Sequence, residues 1–194
     1  ANSPEPPEDG GLLIEAIGHQ WWFEFRYPDN DVVTANELHI PVGEPVNVNL
    51  ESVDVIHSFW VPKLAGKVDM IPNNVNTIWF EAEEAGEYFG QCAEFCGESH
   101  ANMRFTVIAE PRAEFESWLL SQAAPAVEPT DPLAVEGRDV FMSNQAGCRG
   151  CHTISGTNAR GRAGPDLTPF AGRGDFAGAI VENNQENLRK WLED

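Results

Sequence analysis

Long apolar runs are missing from this sequence. No segment reaches the ~20 consecutive apolar residues of a membrane-spanning helix, and no leader peptide with a charged start and an apolar middle stands at its head. Basic residues are scarce. Twelve Lys and Arg face 31 Asp and Glu, for a formal net charge of −19 over 194 residues. Such a surface excludes nucleic acid as a partner and favours basic ones. The imbalance is local: residues 1–130 carry 22 acidic and 5 basic side chains, residues 131–194 carry 9 and 7. Cysteine is sparse too. The four cysteines, at 92, 96, 148 and 151, form two close pairs, each beside a histidine. A disulfide framework would spread them along the chain, so this spacing points to metal or haem chemistry.

What is present divides the chain. "ANSPEPPEDGG" (1–11) reads as an acidic tail or cut linker. Residues 12–121 carry short alternating strands. In "QWWFEFRY", Trp21, Phe23, Phe25 and Tyr27 share one side, and Trp22, Glu24 and Arg26 the other. In "VNVNLES", Val46, Val48 and Leu50 point inward. "NTIWFEAE", "GEYFGQ" and "MRFTVIAE" follow, separated by turn signals such as "YPDND" and "IPNN". This spacing predicts an all-β sandwich or barrel. A helix is predicted at "PRAEFESWLL", with Pro111 in its first turn and Phe115, Trp118 and Leu119 as its apolar stripe. "SQAAPAVEPTDP" is without periodicity, so 122–132 reads as a linker. Residues 133–194 then read as helix, Cys pair, Gly-rich loop and helix. The final "QENLRKWLED" reaches the last residue with neither cap nor stop signal, which predicts a domain cut short at its C-terminus.

"CRGCH" (148–152) has the C-x-x-C-H form of c-type haem attachment. Cys148 and Cys151 would add to the haem vinyl groups, and His152 would reach the iron as proximal ligand. A redox C-x-x-C would want a βαβ setting, and a zinc site a second nearby pair; neither is seen. With "GPDLT" (164–168) behind it, the region resembles small class I cytochrome c domains. That resemblance gives Pro165 the task of holding the proximal histidine. It leaves the sixth iron ligand unassigned, because the only methionine after Met103 is Met142, which precedes the haem motif.

"QCAEFCGESHANM" (91–103) admits three readings: a small disulfide loop, zinc, or copper. Met is a poor zinc ligand. Thiolate, imidazole and thioether together suit copper, and a second thiolate could bridge two metals. Cupredoxin folds draw one ligand from an earlier strand and the rest from a late loop. By position this favours His57, in "DVIHSFWVPKL", over His19 and His39, which read as surface or core residues.

Residues 12–121 closely resemble the extramembrane domain of subunit II of haem-copper cytochrome c oxidases, through "GHQWWFEFRY", "DVIHSFWVPKLAGKVDMIP" and "GEYFGQCAEFCGESHANM". The resemblance implies a cupredoxin-like Greek-key fold carrying a binuclear copper centre, CuA. Cys92 and Cys96 would bridge the coppers, His57 and His100 bind one each, and Met103 and the Glu94 backbone carbonyl act as weak ligands. The Glu94 side chain matches a residue that helps bind magnesium at the subunit I interface. "QWW" matches an aromatic patch where electrons come in from cytochrome c, mapping to Trp21 and Trp22; the third aromatic, usually Trp, is Phe23. Asp54 matches a position near the copper, whereas Glu98 reads as a solvated loop charge. The fused haem motif narrows the likeness to caa3-type oxidases. It implies an electron-transfer subunit on the periplasmic side of a bacterial plasma membrane, accepting electrons through haem c from a c-type cytochrome or other small donor and passing them by CuA to haem a of subunit I. Alternatives are a nitrous-oxide reductase CuA domain, which usually has Trp where Glu94 stands, a mononuclear cupredoxin–cytochrome carrier, and a structural disulfide domain.

Overall fold

The computed structural model describes residues 10–193; most of the predicted N-terminal tail lies outside this range. Ten strands come first: β1 (Leu12–His19), β2 (Trp22–Tyr27), β3 (Val32–Ala35), β4 (Glu37–Pro41), β5 (Val46–Ser52), β6 (His57–Trp60), β7 (Val68–Met70), β8 (Asn76–Phe80), β9 (Gly86–Cys92) and β10 (Arg104–Glu110). They form two five-stranded sheets, ordered β3-β2-β1-β5-β8 and β4-β10-β9-β6-β7. The pairs β1/β5 and β4/β10 are parallel; every other ladder in these two sheets is antiparallel.

Period-two alternation explains why the sheets face each other. Along β5, Val46, Val48 and Leu50 are fully buried while Asn47, Asn49 and Glu51 are half-buried. Phe23, Phe25 and Tyr27, expected to share one side of β2, are buried, as are Trp22 and Glu24 on the other. Between the sheets Phe105 contacts Phe23, Phe59 and Phe25, at centroid distances of 4.7, 4.8 and 5.5 Å. Gly90 of β9 makes room for that ring: a Cβ there would lie 2.4 Å from it. Trp21 departs from the predicted pattern. It sits in the turn before β2, so strand alternation does not govern it, and its indole turns to the loop after β9.

The predicted helix is α1 (Arg112–Gln122), with Pro111 as its N-cap. Phe115 and Leu119 are buried, and Trp118 stacks on His39 at 4.0 Å. The helix thereby helps cover β4, an edge strand whose five residues are all buried. Covering an edge removes a template for pairing with other chains.

Beyond residue 131 follow α2 (Pro132–Met142), α3 (Cys148–Cys151) and α4 (Gln185–Glu193). The Asp131 carboxylate accepts from Leu133 N and Ala134 N, capping α2 as its sequence permits. The helix, loop and helix expected from the sequence here lack one observed element. A two-residue antiparallel ladder joins β11 (Asp175–Phe176) to β12 (Val181–Glu182). Its turn holds Ala177, Gly178 and Ala179 at φ 53°, 75° and 56°. Among the described residues no helix is long and apolar enough to cross a membrane.

Candidate metal centre

One end of the sandwich gathers the sulfur and imidazole donors. β9 ends on Cys92, whose amide donates to the carbonyl of Met103, where the chain turns back into β10. Ala93 N donates to Ser58 O, tying this loop to β6, which starts at His57. The intervening residues fold over themselves: His100 N donates to Gly97 O, and Met103 N to His100 O. Four predicted sulfur and imidazole donors, and the Glu94 carbonyl, thus come from a single loop, and His57 from a neighbouring strand.

The distances define the cluster. Cys92 Sγ and Cys96 Sγ are 3.8 Å apart, and both cysteines are free and buried. Cys92 Sγ lies 3.9 Å from His57 Nδ1 and 3.2 Å from the Glu94 carbonyl oxygen. Cys96 Sγ lies 3.6 Å from His100 Nδ1 and 3.7 Å from Met103 Sδ. Each thiol therefore faces the other, one imidazole nitrogen and one weak donor. Among the described residues, His57, Cys92 and Cys96 form the one group of three or more His, Cys, Asp or Glu whose donor atoms all lie within 4.8 Å of one another. His57 and Met103 are wholly buried.

The electrostatics are asymmetric. Burial opposes a charge on Cys92, but contacts from His57, the Glu94 and Ser58 backbone and His100 outweigh it and pull its pKa down. Cys96 moves the other way, raised by burial and by the Cys92 charge beside it. Two adjacent thiolates repel, so a cation between them would stabilise the pair. Soft donors of this kind, with a thioether and no carboxylate oxygen, fit copper.

Residues outside the donor set aim it. Asp54 Oδ1 lies 2.8 Å from His57 Nε2, which leaves Nδ1 facing the thiols. The same carboxylate accepts from Val55 N and, through Oδ2, from Gln20 N, both at 2.7 Å. Gln20 Nε2 and Trp21 Nε1 both donate to the Cys96 carbonyl, at 2.8 and 3.1 Å. A Cβ on Gly18 would lie 2.6 Å from His57 Cδ2. Reading the sequence alone missed Gly18 and Gln20 as parts of the site. A glycine inside a strand was the available signal, since it marks close approach by another group. Trp21 is half-buried and touches the loop, whereas Trp22 is buried and stacks on His19 at 4.1 Å. His19 and His39 stay outside the cluster; His39 Nδ1 is 2.8 Å from Glu110 Oε1. Glu98 is exposed.

The second cysteine pair lies in the C-terminal region. Cys148 and Cys151 are free and bracket the single turn α3, and His152 N donates to Cys148 O. His152 Nδ1–H donates to the Pro165 carbonyl at 2.8 Å, so Nε2 is the nitrogen left for a metal. A Cβ on Gly164 would lie 2.6 Å from the imidazole Cε1, so only glycine fits beneath that ring.

Known proteins resemble this chain over most of its length. Residues 31–110 match the family model described as cytochrome c oxidase subunit II, periplasmic domain. Cytochrome c oxidase subunit 2 of Alkalihalophilus pseudofirmus is 44% identical over 98% of this chain and 55% of its own length. That of Bacillus sp. strain PS3 is 39% identical over 94% of this chain and 53% of its own. The chain thus spans about half the length of these curated relatives. The crystal structure of the periplasmic domain of cytochrome oxidase subunit II from Bradyrhizobium japonicum is 32% identical, with a TM-score of 0.57 over 62% of this chain and 96% of that one. The likeness thus covers nearly all of a solved subunit II domain and extends, in the curated relatives, through the C-x-x-C-H region. By sequence, fold and coverage the chain belongs to the cytochrome c oxidase subunit II family, on the periplasmic side of a membrane oxidase complex.

Proposed function

We propose that this chain is the electron-transfer part of subunit II of a caa3-type terminal oxidase, accepting electrons at a haem c and delivering them through a binuclear copper centre to subunit I. The whole complex would reduce oxygen to water and pump protons. The observation that carries this reading is the pairing of Cys92 and Cys96, each also facing one imidazole and one weak donor.

In this reading the thiolates of Cys92 and Cys96 and the imidazoles of His57 and His100 would hold two copper ions, with the Met103 thioether and the Glu94 carbonyl as the weak ligands. Cys148 and Cys151 carry the haem and His152 its iron, with Pro165 fixing the imidazole. When bound, the two groups supply one-electron couples that the polypeptide lacks. The chain's own work is to hold donors still. Asp54 and Gly18 fix the His57 ring, Gln20 and Trp21 brace the Cys96 carbonyl, and His57, Cys92, Cys96 and Met103 are themselves buried. A site that changes little between oxidation states lowers the barrier to transfer. Trp21, braced on the loop and partly accessible, is the better placed of the two tryptophans to receive electrons from an outside donor. The Glu94 side chain is the candidate for a magnesium contact with subunit I.

Copper counting with electron paramagnetic resonance tests the centre. The oxidised, copper-loaded protein should hold two coppers per chain and show hyperfine structure from one unpaired electron shared between them. Cys92→Ser should abolish that signal and leave the haem spectrum intact. A one-copper spectrum in the unaltered protein would sink the assignment.

A further inference from the structure

Away from the linker, the C-terminal region meets the β-sandwich at a second place. Glu37, at the start of β4, is only 5% exposed. Its Oε1 accepts from the backbone of residues far along the chain: Gly174 N at 2.7 Å and Asp175 N at 3.4 Å. Burial raises the Glu37 pKa, and the two amide hydrogen bonds and the charge of Arg173, buried beside them, only partly offset it; Arg173 Nη2 donates to Asp166 O at 2.6 Å. Four residues further on, a Cβ built on Gly178 would lie 2.2 Å from the Asn102 carbonyl oxygen and 3.6 Å from Arg104 N. Asn102 stands between His100 and Met103, two of the gathered donors.

The same segment is fixed on its other side. Phe176 is buried, with Phe170 and Trp191 rings at 5.8 and 5.9 Å. Asn183 Nδ2 donates to Phe170 O and Arg173 O, and Asn183 N to Gly174 O. Residues 173–178 therefore belong to the fold of the haem-motif region while their outer face meets the sandwich. Proximity along the chain cannot explain the contact, since 137 positions separate Glu37 from Gly174. A buried carboxylate that takes two main-chain amides is a specific acceptor, because leaving either side unpaired in the seam is unfavourable.

We propose that residues 173–178 form a docking strap that seats the haem-motif region against the His100–Met103 loop, with Glu37 as its anchor and Gly178 packed against Asn102. The partner of this surface of the sandwich is the chain's own C-terminal region. The electron-transfer consequence rests on the function proposed above: donor and acceptor regions are held in one arrangement, and the Gly178 contact meets the copper loop one residue from Met103. A merely tethered pair would depend on linker length for its effective concentration; a docked pair does not.

Hydrogen exchange on the full chain, with and without its metals, tests the docking. The Gly174 and Asp175 amides should be protected in the unaltered protein. They should exchange at least about tenfold faster in Glu37→Ala and in Gly178→Val. Amides of β9, β10 and α4 should keep their protection in both variants, which separates undocking from unfolding. Inserting about ten Gly and Ser residues into the linker should leave the strap protected. Peptide-like exchange of the strap in the unaltered protein, unchanged exchange in both variants, or loss of protection on lengthening the linker each overturns the proposal. Copper and haem content, measured on the same samples, reports separately on the functional reading. Protection of the strap in a chain that binds neither group would leave the docking standing and remove its electron-transfer meaning.

Discussion

Replacing Asp54 with Asn keeps the side chain's size and removes the charge that orders His57. Asp54→Asn should leave the fold intact and weaken copper binding roughly 10–100-fold, the usual cost of losing a carboxylate behind a metal-bound histidine. Competition against a copper chelator measures it. Gly18→Ala attacks the same ring by volume: its methyl group would lie 2.6 Å from Cδ2. It should cost about 1–3 kcal/mol of stability as the strand or the ring shifts, read by chemical denaturation of the metal-free protein. The thiols add a pH dependence. Cys96 is held above its ordinary pKa by burial and by Cys92, so in the metal-free state its proton persists through neutral pH. Copper must expel that proton, and binding should weaken as pH falls. Calorimetric titration in two buffers of different ionisation enthalpy should detect the released proton.

At the level of elements, the sandwich rests on the ring cluster that β2, β6 and β10 bring together. Phe105→Ala should cost about 3–5 kcal/mol, seen as an earlier denaturation midpoint with little change in slope. Strands such as β5 were legible in the sequence because one face is buried and the other wet, which leaves a period of two. Helix α1 was legible from its apolar stripe, and α2 was legible as a helix although its Asp131 cap and Pro132 start fell in the stretch read as linker. Trp21 was not, because a turn breaks the phase that alternation relies on. The β11/β12 ladder was not either. Two paired residues give no periodicity, and alanine as a residue type does not favour the left-handed conformation of Ala177 and Ala179.

Across the whole molecule, charge and motif read differently. A net charge of −19 predicts that encounter with a basic donor slows steeply as ionic strength rises; stopped-flow mixing with a small basic redox protein over a salt series measures this. The donors were legible because cysteine, histidine and methionine at fixed spacing form a chemical pattern, and His57 because its position in an earlier strand suits a ligand that completes the late loop. The groups that aim them, Gly18 and Gln20 among them, carry no such pattern: an amide and a missing side chain act here only through where the fold puts them. The spread of the donors along the chain also has a temporal side. His57 leaves the ribosome 35 residues before Cys92, and Met103 follows later still. The cluster closes only once β9 has paired with both β6 and β10, which makes it a product of long-range, slow-forming contacts. Copper insertion is therefore a late event in the life of the chain, one that waits for a finished sandwich.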